Sequence, residues 1–318
     1  MFFAIGLLLI THLVFPVAGL VWLWRGNELS KLEWLLKLSI VLLYGIQIFL
    51  IGRWDFLSYF LRFGVIALLV VAVYISFIKA KSLPFYPTRK LSNYVSVGIS
   101  SLVILVLLSS LSSHIPRGYS FNGESVQLNF PLQQGTYYVA HGGNSPAINY
   151  HNVNPTQQYA LDIVKLNAVG TRANGLYPRS LTNYAIWGEP LYSPCDGIIR
   201  ETRNNLPDLI PPQSDPPNPA GNHILIQCQG ADVLMAHLQR GSLVVQDGET
   251  VEAGQAIAKV GNSGNTTEPH LHIHARRANT GQSPLEGEGL PITFDGRFLV
   301  RNSLFVDKTN FGNSNVPS

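Results

Sequence analysis

The sequence predicts a two-part fold: an N-terminal region of four transmembrane helices, then a mostly β domain outside the membrane. Three observations predict it. Four apolar runs in the first third approach the roughly 20 residues needed to cross a bilayer. Charge divides near residue 115: ten lysines and arginines face three acids up to residue 117, net +7, and twelve face sixteen beyond it, net −4. Past that divide, short alternating segments are separated by Gly, Pro, Asn and Asp clusters, the pattern of strands and turns. With 318 residues, 46% hydrophobic and only 13% charged, the chain is long enough for two domains and too apolar for an ordinary soluble one.

The four runs cover 2–24, 35–51, 56–78 and 94–111, placing a four-span region at 1–113. They leave almost no polar face to meet water, and Lys37 and Arg62 lie close enough to run ends to snorkel. The first link carries Arg25 and Lys31 with Lys37 close by, and the third carries Lys79, Lys81, Arg89 and Lys90. The N-terminus has no basic residue and the second link mainly Arg53. Basic loops stay in the cytoplasm, so both termini and the β domain are expected outside the cytoplasmic membrane. The first run lacks a basic leader and a small-residue cleavage site and reads as a retained span rather than a signal peptide. The bilayer is thus one expected partner, and the bundle offers a surface to a membrane protein of unknown kind. The acidic balance after residue 117 gives no basic patch, so nucleic acid is not expected as a partner.

Residues 114–134 read as a linker with the first strands, and 135–318 as the outer domain, ample for one globular core. Strands are expected at 135–140, 159–166, 197–201, 223–228, 233–238 and 270–275, with no strong amphipathic helix competing. The stretch 204–222 contains six prolines and few apolar anchors; it is expected to be a long surface loop with the reach to overhang a site. The alternating stretch 290–305 adds strands near a cleft, and the end from Asn310 frays. Cys195 and Cys228 both fall in the outward part, where an oxidising compartment favours a disulfide if their strands are neighbours. The alternative is two small buried residues, and their number and spacing make no zinc site.

The chemistry concentrates in Pro269-His270-Leu271-His272-Ile273-His274. In an extended strand the period of two puts the three imidazoles on one face and turns Leu271 and Ile273 into a core. Imidazole is the commonest protein ligand for zinc, so such a face is a ready part of a metal site. Gly261-Asn262-Ser263-Gly264-Asn265 just upstream reads as the turn that delivers the strand. In Tyr159-Ala160-Leu161-Asp162-Ile163-Val164, Asp162 interrupts a buried run, and a carboxylate there needs a metal or a cation unless it faces solvent at the strand end. His237 in Met235-Ala236-His237-Leu238 also sits among apolar neighbours, as a site residue or as a hydrogen-bonded core histidine.

These segments in this order, with the Asp247-Gly248 and Gly254-Gln255 turns inside 244–260, resemble the lysostaphin-type (LytM-like) zinc endopeptidase family, over about 135–285. The resemblance implies an antiparallel β-sheet peptidase fold, one zinc ion, and hydrolysis of peptides of cell-wall peptidoglycan. Carried over position by position, it implies Asp162 and His272 as zinc ligands and His237 and His270 as catalytic residues flanking a metal-bound water. One of those two would take the water's proton and the other would steady the oxyanion.

The family pattern also has a histidine four residues before the aspartate, and that place is Gln158 here. A neutral amide oxygen is a poor zinc ligand. His151 is the favoured replacement, because the loop through Pro155 can return it to the metal, and His141 beside Gly142-Gly143 is the next. A two-ligand remnant without zinc is the third possibility. It supports the rival function, a metal-free peptidase-like module that binds peptidoglycan or regulates another wall hydrolase. His274 is expected either to donate to a ligand or to face solvent, and His223 and His12 read as structural. A lipoyl or biotinyl carrier shares the two Gly turns, but Lys259 lies within a strand pattern rather than at a hairpin tip.

Overall fold

The computed structural model describes residues 2–87, 90–278, 283 and 285–306. The chain forms two units: Met1–Trp54 with Ser58–Ile115, and Asp55–Leu57 with the residues from Pro116 onward.

The first unit is helical. Its elements are α1 (Phe2–Leu9) and α2 (Phe15–Arg25), joined by the π-helical turn Ile10–Val14, then α3 (Lys31–Ile51), α4 (Leu61–Ala80) and α5 (Leu91–Gly118). Among the described residues, four helical stretches are long and apolar enough to cross a membrane. Two boundaries differ from the apolar runs for local reasons. α3 begins before residue 35 because Ser30 Oγ accepts the Glu33 N–H at 3.2 Å, satisfying an orphan donor of the first turn, and Glu33 Oε2 reaches back to accept the Leu29 N–H at 2.8 Å, just ahead of the cap. α4 begins at Leu61 rather than residue 56, because Trp54–Phe56 closes a 3-10 turn. The expected linker at 114–134 starts as helix, since α5 continues to Gly118 with Pro116 inside it. Leu23, Val41 and Leu69 make the packed centre of this unit. Its buried charges have partners: Lys37 pairs with Glu28, and the Arg62 guanidinium lies 3.9 Å from the Phe49 ring centre.

The second unit is mostly antiparallel β-sheet. Its strands are β1 (Val126–Leu128), β2 (Thr136–His141), β3 (Leu161–Leu166), β4 (Pro190–Tyr192), β5 (Gly197–Arg203), β6 (Asn222–Cys228), β7 (Ala231–Leu238), β8 (Thr250–Val251), β9 (Ala256–Lys259), β10 (Leu271–Arg277), β11 (Gly289–Leu290), β12 (Ile292–Phe294) and β13 (Leu304–Val306). The main sheet runs β13-β2-β3-β10-β7-β6-β5-β8, with β11 on β10; β4 pairs with β9, and β1 with β12 in parallel. All six strands expected from alternation are present. The short strands Pro190–Tyr192 and Thr250–Val251 carry too few residues to show a period.

β10 lies between β3 and β7. One face presents Leu271, Ile273 and Ala275 to a core with Leu161, Ile163, Ile224, Ile226, Val233 and Met235. Each such Leu or Ile side chain contributes roughly 1.5–3 kcal/mol on burial. The other face of β7, Leu234 and Ala236, packs with Ala220 and Leu225, which explains why β7 is buried on both faces and Val233–Ala236 is a continuous apolar run rather than alternating. Cys195 and Cys228 form a disulfide, their Cα atoms 6.0 Å apart, where Gly197 pairs with Cys228 across β5 and β6. Residues 204–222 contain no helix, and no strand before Asn222. Asn222 pins the stretch, its Oδ1 accepting the Leu206 N–H at 2.9 Å and its Nδ2 donating to Leu206 O at 2.8 Å. The expected fraying from Asn310 lies outside the described residues.

Candidate metal centre

Strand register builds the centre. Antiparallel pairing sets His272 of β10 opposite Asp162 of β3 on one side and Ala236 of β7 on the other. His272 Nδ1 and Asp162 Oδ1 are 3.0 Å apart. His151 arrives from a different place, the 3-10 turn Tyr150–Val153, and its Nε2 lies 3.0 Å from both carboxylate oxygens of Asp162. Asn149 shapes that turn: its Oδ1 accepts the His151 N–H at 3.2 Å, and its Nδ2 donates to the carbonyls of Gly143, Gln158 and Ala160 at 2.9–3.2 Å. One donor atom each from His151, Asp162 and His272 lies within 4.8 Å of the other two.

This donor set fits zinc. Two imidazoles and a carboxylate are its usual oxygen and nitrogen ligands, and bonds of about 2.0–2.2 Å in a tetrahedron set donors roughly 3.4 Å apart, close to the spacing here. Of the other two upstream candidates, His141 faces Asp162 across the β2–β3 pairing but has its Nδ1 2.7 Å from Arg301 Nη2. Gln158 uses its backbone carbonyl to accept from Asn149 and Asn152. His274 lies beyond Asp162 and His272, its Nδ1 2.9 Å from His272 Nε2, where it can fix the tautomer of His272.

His237 and His270 stand beside this group, their ring centres 4.8 Å apart. His237 holds φ +62°, a left-handed conformation that costs a non-glycine residue about 1 kcal/mol or more. The departure falls where pairing with β10 stops at Ala236 and the β6 register shifts before Asn222 pairs with Leu238, and it turns the imidazole out of strand alternation. His237 Nδ1 donates to Ser263 O at 2.9 Å, and its backbone N–H donates to Ala220 O at 3.0 Å. Ser263 can come this close because Gly221 has no side chain; a Cβ there would meet Ser263 O at 2.2 Å. His270 Nδ1 donates to Glu268 O at 2.9 Å, and its Nε2 lies 3.5 Å from Asp162 Oδ1. Since a carbonyl only accepts, each Nδ1 carries the proton and a neutral ring leaves Nε2 as acceptor.

Burial pushes the Asp162 pKa up, but the His151 and His270 imidazoles outweigh it and hold the carboxyl well below its ordinary range. Burial, then the neighbouring His270 and His272, pushes His237 well below the usual imidazole value. Burial lowers His272 to about 4 against the opposing pull of Asp162. His270 is the exception: burial acts to lower it, yet the Asp162 carboxylate wins and raises it. A cleft of about 180 Å³ opens beside the centre, lined among others by Tyr150, His151, His237, His272, Pro219 and Leu285. The proline-rich stretch thus contributes Pro219 and Ala220 to its wall.

Sequence reasoning missed three contributors. Asn149 and Glu268 carried no motif signal, because each acts through backbone atoms of the segment that carries a histidine. Tyr150, whose ring centre is 4.0 Å from that of His151, was legible only as its chain neighbour. His223 and His12 lie elsewhere, His223 with Nδ1 2.9 Å from Gly221 O and His12 with its ring centre 5.2 Å from that of Trp54.

The model of Peptidase family M23 matches residues 182–284, so this stretch carries an M23-type peptidase domain. The match includes His237, His270 and His272 but not His151 or Asp162. Over 96 residues the chain is 34% identical to peptidoglycan DD-endopeptidase ShyA of Vibrio cholerae, covering 30% of this chain and 19% of that one. Over 120 residues it is 28% identical to an uncharacterized metalloprotease of Haemophilus influenzae, covering 36% and 23%. The chain therefore spans about a fifth of the length of these curated relatives. Among solved structures, a zinc-containing peptidase from Vibrio cholerae is 23% identical over 48% of this chain and 37% of its own, with a TM-score of 0.27. The catalytic domain of lysostaphin from Staphylococcus simulans is 21% identical over 36% and 84%, with a TM-score of 0.25.

Proposed function

We propose that this protein is a membrane-anchored zinc metalloendopeptidase that hydrolyses peptide bonds of cell-wall peptidoglycan outside the cytoplasmic membrane. The observation that carries the proposal is the convergence of His151, Asp162 and His272 on one point, with two further histidines alongside. The M23 match and the peptidoglycan endopeptidase relative support the substrate class, and the four apolar helices support the anchor.

His151 Nε2, Asp162 and His272 Nδ1 would hold one ion. The chemistry it supplies when bound is polarisation of the scissile carbonyl and acidification of a water to a pKa of about 7. His237, neutral at physiological pH and with Nε2 unprotonated, takes the proton of the attacking water. His270, whose pKa the Asp162 carboxylate raises, would in its protonated form offer Nε2–H to the oxygen of the tetrahedral intermediate. His274 accepts from His272 Nε2–H and so leaves His272 Nδ1 as the ligating nitrogen. Asn149 holds the turn that brings His151 across.

The rival reading, a metal-free module, rested on Gln158 in place of a histidine. His151 beside Asp162 weighs against it. The test is metal analysis of the full chain purified in detergent, with a mass-detected digest of muropeptides. One zinc per chain and new peptide termini, both lost in His272→Ala, are expected. A protein that takes up no zinc under careful loading, or releases the same products as its His270→Ala variant, overturns the proposal.

A further inference from the structure

Asp55 is fully buried, although in sequence it lies between α3 and α4. With Phe56 and Leu57 it is part of the second unit. Its carbonyl accepts the Arg172 N–H at 3.0 Å, and its carboxylate is 3.8 Å from Arg172 Nε. The Arg172 guanidinium lies 3.4 Å from the centre of the Phe56 ring, which stacks in turn on Tyr177. Arg172 is only 1% exposed. Its Nε and Nη2 reach the same Glu268 oxygen at 2.7 and 2.6 Å.

Glu268 leads directly to the site. Its carbonyl accepts from His270 Nδ1 at 2.9 Å and from Thr266 Oγ1 at 2.8 Å. Only Pro269 separates Glu268 from His270, and the fixed φ of proline passes a displacement of one to the other. The segment 265–270 has no helix or strand of its own to hold His270. A buried guanidinium between two carboxylates and an aromatic face is stable only while its partners stay, since removing one leaves charge uncompensated.

We propose that Arg172 is a positioning residue for His270, and that Asp55 and Phe56 hold Arg172 in place, so that the turn between α3 and α4 regulates the site. The regulatory part rests on the peptidase reading above; the chain of contacts does not. The turn therefore acts as a control point: whatever displaces Asp55 and Phe56 loosens His270 without touching a metal ligand.

The experiment uses the full chain in detergent, with Phe56→Leu, which keeps bulk but removes the aromatic face, and Asp55→Asn. Hydrogen exchange is followed over 265–272 and over β6 and β7, and kcat and KM are measured at equal zinc content. Exchange over 265–272 is expected to quicken by about tenfold while β6 and β7 are unchanged. kcat is expected to fall by about 10–100-fold, with KM within about twofold of wild type. Phe56→Tyr, which restores the ring, should recover both. Unchanged exchange over 265–272 in both variants, or equal loosening of the whole sheet, overturns the proposal. Should Asp55→Asn fail to fold, Phe56→Leu and Phe56→Tyr decide it alone. A wild-type protein that cleaves nothing defeats the peptidase reading, whereas the exchange data still test the contacts.

Discussion

The two units treat the same side chains in opposite ways. In the helical unit Val70 is 64% and Leu102 62% exposed, whereas Leu271, Ile273 and Met235 of the β unit are wholly buried. Polar groups reverse the pattern: the helical unit buries a few charges in isolated pairs, and the β unit gathers buried histidines and an aspartate at one point. A hydrophobic effect needs water on one side. Helices placed in hydrocarbon would have no such driving force and could leave leucine outward at no cost, as the proposed membrane anchor requires. In the β unit, burial is what makes the core cohesive and what lowers the His237 and His272 pKa values, while the Asp162 carboxylate raises that of His270. The lesson is that one composition statistic, high apolar content, covers two arrangements, apolar side chains turned outward in one unit and packed inward in the other.

The sharpest way to break this contrast is to remove a histidine buried in the candidate metal centre. His272→Ala is expected to lower kcat by about 10³-fold or more and to lose the metal, read by elemental analysis alongside muropeptide digestion. His237→Ala should lower kcat by about 10²–10⁴-fold while zinc stays bound, which separates proton transfer from metal binding.

Stability sharpens the comparison next. Leu271→Ala removes a side chain from the β core and should cost about 2–5 kcal/mol. Leu102→Ala on the exposed face of α5 should stay within about 0.5 kcal/mol in detergent. Denaturant titration of the two variants compares them, and equal losses would contradict the contrast between the two arrangements.

The smallest expected effect is on pH. His237 and His272 have folded pKa values below the ordinary 6.5, so the unfolded chain takes up protons that the folded one refuses as pH falls. Their contribution is complete above pH 6.5 and fades towards pH 4. His270 runs the other way: with its pKa raised, its contribution is present below pH 6.5 and lost as pH rises through its folded value. Asp162, lowered, loses its contribution only as pH falls through its folded value, below the ordinary 3.8. With EDTA present, Tm should therefore drop by roughly 5–10 °C between about pH 6.5 and 4.5. A flat or rising Tm over that interval would contradict the shifts.

Legibility in the sequence followed distance along the chain. Three alternating histidines declared a strand face, and Leu271 and Ile273 do enter the core. The β10 register opposite Asp162 could be anticipated only through the family resemblance, since pairing of β3 with β10 joins residues 110 apart. His151 was one of three open candidates. What separates it from His141 is a turn shaped by Asn149 and an arginine, Arg301, from near the other end of the described chain. The left-handed backbone of His237 and the reach of Arg172 to Glu268 left no mark at all.

In the sequence, the length of continuous apolar runs was enough to determine the four apolar helices, and the period of two that sets side-chain direction in a strand determined the principal strands and which residues of 270–275 share a face. Only the tertiary structure decided which imidazole reaches Asp162, how His237 is aimed and that Asp55 belongs with Arg172. Those depend on loops closing over long separations, where glycine contacts and buried hydrogen bonds choose among conformations that the local sequence leaves equally open.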